Sequence, residues 1–357
     1  MRAHAGAPLI GSPRYRTFAL GAALSAAATL VFLVWMVTNL GGGWTSLCVD
    51  DLGQLVAAWA AAVVCGVAAC RVSTGRATWA LFAASSFAWG AGEAVWCYYA
   101  LLRNTPVPFP SLADVGFLCA VPLAFAALLV FPGGPQSGSD RFQGLMDGAI
   151  IATSLLFASW ATVLGPLYRA HQGGLLKQAI SLAYPMSDVV MVTLVVMLVA
   201  RGGRPVRVQL ALVMAGVVAF AVADSSFTYL TEVNSYAGGS ILDTGWVAGY
   251  LLIGLGALWT ITCPSAPHQS TERSTISLVA PYAPVLVVLA VTGMQLLRGR
   301  QMGPVSWIMA LALALLVLGR EALRTLERFR QGRNASTGIA APRPVPSLES
   351  IPMWLEP

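Results

Sequence analysis

Ten long apolar stretches, nearly free of charge within themselves, dominate this sequence. They fall at roughly 17–39, 53–71, 77–102, 113–131, 145–168, 178–201, 206–230, 240–263, 278–297 and 304–326. A helix of about 20 apolar residues covers the hydrocarbon of a bilayer. It also satisfies its own backbone donors and acceptors, which lipid cannot do. The runs therefore predict an all-α fold, a polytopic transmembrane helix bundle of about ten spans, with the lipid bilayer as its solvent. A transmembrane β-barrel would instead alternate apolar and polar residues in segments of about ten, and the chain shows no such alternation. Only 10% of the 357 residues are charged, against about a quarter in a soluble domain.

Short connections marked by Gly, Pro, Asn and Arg join the runs, as in residues 41–44 and 132–140. The first run is longer than a signal-peptide core and no cleavage site follows it, so it is expected to stay as a helix. With the N-terminus in the cytoplasm, sixteen basic residues fall on the cytoplasmic side. Five (Arg103, Arg169, Lys177, Arg298 and Arg300) fall outside. The positive-inside rule favours that arrangement, with both termini cytoplasmic and the protein in the cell's inner (plasma) membrane. Three segments follow: a basic cytoplasmic N-terminus at 1–16, a helical membrane domain at 17–331, and a disordered cytoplasmic tail at 332–357 rich in Pro, Ser, Gly and Ala. Arg320, Arg324 and Arg328 recur every four residues among Glu321 and Glu327, which predicts that the last helix runs on as a short stalk. That stalk is the expected route to a homodimer or to a separately encoded cytoplasmic signalling protein.

A net charge of +6 raises the question of nucleic acid. The basic residues lie in short loops and tails rather than along one face, so no nucleic-acid partner is expected. No cofactor is expected either. His4, His171 and His268 fall outside the runs, which argues against an intramembrane histidine-ligated metal. The six cysteines contain no C-x-x-C pair and read as small hydrophobes in helix packing.

An ionisable side chain inside a span costs about 2.5–3.5 kcal/mol on insertion scales unless it is satisfied, so the acids are the informative residues. Glu93, Asp188 and Asp224 lie within runs, Asp114 and Asp243 open runs, and Asp147 stands near the start of the fifth. All but Asp147 converge on the outer half, with no basic residue at matching depth inside a span. Their helical neighbours are aromatic: Trp89 and Trp96 flank Glu93, Tyr184 precedes Asp188, and Trp246 and Tyr250 follow Asp243. Acid and aromatic on one face suit a cation or amine site, or a hydrogen-bonded polar core. The plainer alternatives are interfacial aromatics and helix N-caps at Asp114 and Asp243. Pro185 falls beside Tyr184 and Asp188, where it frees a carbonyl and favours a kink. Gly90 and Gly92 allow close helix approach, which would bury Glu93 against a neighbour.

These residues carry a resemblance. Gly92-Glu93 with Trp96 and Tyr99, then Pro108 to Leu118 (PFPSLADVGFL), are followed in order by Leu145-Met146-Asp147-Gly148 and Ser159-Trp160. Next come Ala183-Tyr184-Pro185 with Asp188, Ala223-Asp224 with Tyr229, and Asp243-Thr244-Gly245-Trp246 with Gly249-Tyr250. The set resembles the multi-span N-terminal sensor region of actinobacterial GGDEF/EAL (cyclic-di-GMP) signalling proteins, over about residues 80–260. That resemblance implies a sensory role. The sequence holds no GGDEF-like or EAL-like motif and no histidine after His268, so no enzymatic activity carries over. The chain reads as a stand-alone sensor module or a piece of a longer protein.

The expectation is a membrane sensory or regulatory module that perceives an extracytoplasmic or membrane-soluble signal through the outer acid–aromatic cluster. A secondary transporter of a cation or small amine-containing solute is the alternative. If Glu93, Asp188 and Asp224 share a site, they should line one cavity with Trp96 or Tyr184 on its wall.

Overall fold

The computed structural model describes residues 13–131, 138–170, 174–201, 207–232, 238–263, 283–299 and 301–336. Among them there is no strand. Ten helices follow one another: α1 (Pro13–Thr38), α2 (Gly43–Arg71), α3 (Arg76–Cys97), α4 (Leu112–Leu129), α5 (Gly138–Ser159), α6 (Leu175–Arg201), α7 (Arg207–Glu232), α8 (Thr244–Thr262), α9 (Ala283–Leu297) and α10 (Pro304–Ser336). A π-helical turn at Tyr98–Leu102 extends α3, and another at Trp160–Leu164 carries α5 on to Ala170.

Eight of these helices are long and apolar enough to cross a bilayer. The other two are α3, whose packed centre carries Ser85, Ser86 and Glu93, and α9, which is shorter. The chain is therefore a multi-pass membrane protein. Its outer surface agrees. On α1, Leu20, Leu24 and Val31 are exposed, and on α10 so are Ile308, Leu311, Leu315 and Leu318. Apolar stripes of that length would be an aggregation hazard in water, whereas in hydrocarbon they meet their natural solvent.

Small residues set the closest helix contacts. A side chain at Gly116 of α4 would place its Cβ 2.5 Å from the backbone nitrogen of Gly92 in α3, and one at Gly92 would meet the Ala113 carbonyl at 2.7 Å. Two backbones at this separation leave no room for a methyl group. The same device joins α7 and α8, where a Cβ at Gly216 would lie 2.8 Å from the Gly249 carbonyl. As expected from Gly90 and Gly92, Glu93 is driven inside and is 3% exposed.

The helices form two groups. The first, α1–α4 with α6–α8, has its core around Phe82, Trp79, Leu128, Val213 and Ile253. The second is α5, α9 and α10, packed around Ile150, Phe157, Val288 and Leu313. The main contact between them is α5 against α6, and α6 itself packs on α4 and α7.

Two sequence expectations need correction. The second helix begins at Gly43 rather than near 53, so Asp50 and Asp51 lie within it. Both lie outside the run at 53–71, and folding supplies partners to the first: Asp50 accepts from Gln54 Nε2 at 2.8 Å and from the Gly239 N–H at 2.7 Å. Arg320, read as part of a solvated stalk, is 2% exposed and forms an ion pair with Asp147 of α5. One turn on, Arg324 pairs with Glu321 at 3.3 Å. The helix runs to Ser336. The remainder of the tail, the first twelve residues and all three histidines lie outside the described residues.

Candidate functional site

One cavity of about 590 Å³ opens within the first helix group. Its wall takes Trp89, Glu93 and Trp96 from α3, Asp114 and Phe117 from α4, Tyr184 and Asp188 from α6, Asp224 from α7, and Trp246 and Tyr250 from α8. Glu93, Asp188 and Asp224 thus share one cavity with both Trp96 and Tyr184 on its wall.

Each acid is held differently. Asp114 closes a capping box at the start of α4, where its Oδ2 accepts from the Ser111 N–H at 2.6 Å. Its other oxygen accepts from the Tyr184 hydroxyl at 2.7 Å. Asp114 is therefore both a cap and a link between α4 and α6, so the two readings are compatible. Asp224 accepts from the Trp246 indole N–H at 2.6 Å, which ties α7 to α8. The Asp188 carboxyl faces that of Asp224 within hydrogen-bonding range. Two carboxyl groups at that range need a proton or a cation between them.

Asp243 behaves as a cap. Its carboxylate accepts from the Ser240 N–H at 2.7 Å within a capping box. It is fully buried, turned toward Asp50 rather than onto the cavity wall. Pro185 is buried inside α6, which continues as a helix through it, and lies behind the cavity rather than on it. It fixes the turn that presents Tyr184 and Asp188.

The sequence reading missed Asp51, which lines the cavity with Gln54. Its Oδ2 is buried without a hydrogen-bond partner, and the residue is only 2% exposed. Asp51, Asp50 and Asp243 are close enough to Glu93 for their charges to act on it. The spacing of Asp50 and Gln54, one helical turn, was the available signal. Lys177 was also missed as a lining residue. It stands at the mouth beside Phe109, with its Nζ 5.9 Å from the ring centroid, so the cavity does carry one basic group.

Aromatic rings form much of the inner wall. Trp89 packs against Phe117 and Tyr250, each with ring centroids 5.0 Å apart, and Phe220 meets Tyr250 edge-on at 4.6 Å. Phe82, Val217 and Ile253 add apolar surface to the lining, beside Ser85 and Ser86. Among the described residues, no group of three or more His, Cys, Asp or Glu side chains is arranged to hold a metal ion. The site can present carboxylate acceptors and aromatic faces to a guest. The chain matches no family model, no curated protein and no solved structure.

Proposed function

We propose that this protein is a membrane sensory module in which occupancy of the acid–aromatic cavity is passed to α10 through α6 and α5. One observation carries the reading. The helix that puts Tyr184 and Asp188 into the cavity, α6, is the one that packs against α5. Helix α5 in turn grips α10 through the Asp147–Arg320 pair. A guest that binds Asp188 differently in two arrangements of α6 would shift their populations. The buried ion pair would then move α10, which runs on beyond the apolar belt. The order of the matching pieces from Gly92 to Tyr250 supports a signalling role. The positive-inside balance supports a cavity mouth on the outer side and α10 projecting into the cytoplasm of a cell with this protein in its inner membrane.

The test places spin labels at Leu145 of α5 and Leu326 of α10, both exposed, and measures the distance distribution between them. Asp188→Asn keeps the shape of the side chain and removes its charge. It should repopulate the distribution while the protein stays folded. An unchanged distribution would count against the relay. The carboxyl pair Asp188–Asp224 also suits a transporter. Saturable uptake into proteoliposomes that is abolished by Asp188→Asn, with α10 unmoved, would replace sensing by transport.

Orientation has its own check. Reporter fusions after residues 45 and 236 should score extracytoplasmic, and fusions after 137 and 340 cytoplasmic. A cytoplasmic score at 236 would overturn the ten-span arrangement.

A further inference from the structure

We infer that the cavity binds an organic ammonium with at least one N–H, attached to an apolar, ring-sized body, and that the ammonium seats between Asp51 and Glu93. The inference rests on the reading of this cavity as a ligand site, and it names the ligand's chemical class.

The donor and acceptor inventory leads to it. Asp114 already accepts from Ser111 and Tyr184, and Asp224 from Trp246. Asp188 Oδ2 is also without a hydrogen-bond partner, but its carboxyl faces that of Asp224; Asp51 and Glu93 have no such facing carboxyl. Asp51 Oδ2 has no partner, although the residue is 2% exposed. Glu93, 3% exposed, receives only a weak contact from the Cys97 thiol at 4.0 Å. A carboxylate can only accept. Buried carboxylates with unused acceptor capacity therefore call for a guest rich in donors, and an ammonium supplies both donors and charge.

Charge balance points the same way. Among the described residues, five acids line the cavity (Asp51, Glu93, Asp114, Asp188 and Asp224) against one base, Lys177. The arrangement does not suit a coordinated metal ion among the described residues. Trp89 and Tyr250, in contact with each other, stand on the same wall as Glu93. Aromatic faces attract a cation and are indifferent or adverse to an anion. Phe82, Val217 and Ile253 also line the cavity and offer no hydrogen bonds, so the guest needs an apolar surface to cover them. A volume of about 590 Å³ falls within the range of small-molecule sites. The ammonium could be carried by a free amine or by a lipid headgroup, and the shared chemistry is the same.

The test uses the full chain in dodecyl maltoside micelles, with 2-phenylethylammonium as the probe. Calorimetry and quenching of tryptophan fluorescence follow binding. Saturable binding is expected, with affinity lowered at least about tenfold in Glu93→Gln and in Asp51→Asn, the loss expected for a charged hydrogen bond. The neutral analogue 2-phenylethanol, the anionic 3-phenylpropionate and the N-trimethylated probe should each bind more weakly. Thermal unfolding of both variants separates a binding role from a structural one, because a structural acid would change stability without changing probe selectivity. Added phosphatidylethanolamine that competes with the probe would assign the site to a lipid headgroup, and no competition would assign it to a free amine. Absence of saturable binding, equal binding of 2-phenylethanol, or displacement by Na⁺ or Mg²⁺ with the same residue dependence would overturn the inference. Probe binding with an unmoved α10 would leave the ammonium site standing and remove the sensory reading.

Discussion

Gly116→Ala should be among the most damaging small substitutions in the chain, lowering stability by about 3 kcal/mol, and Gly116→Val should leave little folded protein. The added Cβ would lie 2.5 Å from the Gly92 nitrogen, 2.6 Å from its Cα and 2.7 Å from the Ala88 carbonyl. All three are backbone atoms, so no side chain can rotate away. The helices would have to part, and α3 and α4 carry Glu93, Trp89, Asp114 and Phe117 into the cavity. Loss of ligand response should therefore accompany loss of stability. Gly66 on α2 is the control, because a Cβ there meets nothing within 4 Å. Gly66→Ala should be neutral, or stabilising by up to about 1 kcal/mol from helix propensity. Denaturation of the purified protein in detergent, followed by circular dichroism, checks both. Equal behaviour of the two alanine variants would refute the close α3–α4 approach.

Breaking the pair between α5 and α10 should have a comparable effect. Arg320 is 2% exposed and Asp147 23%; removing Arg320 takes from Asp147 its ion-pair partner in a poorly hydrated place, whereas removing Asp147 leaves Arg320 its contact with Glu321 at 3.3 Å. Arg320→Met or Asp147→Leu should cost about 3–5 kcal/mol. The Arg320→Met variant should be the worse of the two, because Arg320 keeps its contact with Glu321 when Asp147 is removed. The double variant should recover much of the loss, since an apolar pair needs no desolvation of charge. It should at the same time uncouple α10 from changes at Asp188, as read by the Leu145–Leu326 distance. A double variant as unstable as the sum of the singles would show that the two residues act separately.

Much of this architecture was legible in the sequence, because bilayer thickness forces long, nearly uncharged runs. The ten runs and the ten helices correspond one to one. Cost in hydrocarbon likewise singled out Glu93, Asp188 and Asp224, and the small residues beside Glu93 announced its burial. The failures share a cause. Asp50 and Asp51 fell outside the second run because adjacent charges end a hydropathy run. Only the fold brings Gly239 to Asp50 and turns Asp51 onto the cavity wall. Arg320 looked solvated because its partner lies 173 residues away in sequence. Asp243 and Pro185 have the right neighbours in sequence but face away from the cavity, since their side-chain directions are set by helix rotation that hydropathy alone does not specify.

The central claim is that α2, α3, α4, α6, α7 and α8 line one acid-bearing cavity with an attraction for cations. Cysteine accessibility tests it without knowledge of the ligand. In a background with the six native cysteines replaced, Ser187→Cys and Thr228→Cys put thiols on the cavity wall. Val190→Cys and Val222→Cys put them on the exposed apolar faces of α6 and α7. Each is treated with a methanethiosulfonate reagent bearing either a trimethylammonium or a sulfonate group. The two cavity thiols should react, faster with the cationic reagent by about tenfold or more because a cleft of one sign concentrates the opposite charge, and the two lipid-facing thiols should stay unmodified. Unreactive thiols at 187 and 228, or equal rates with the anionic reagent, would contradict the shared acidic cavity.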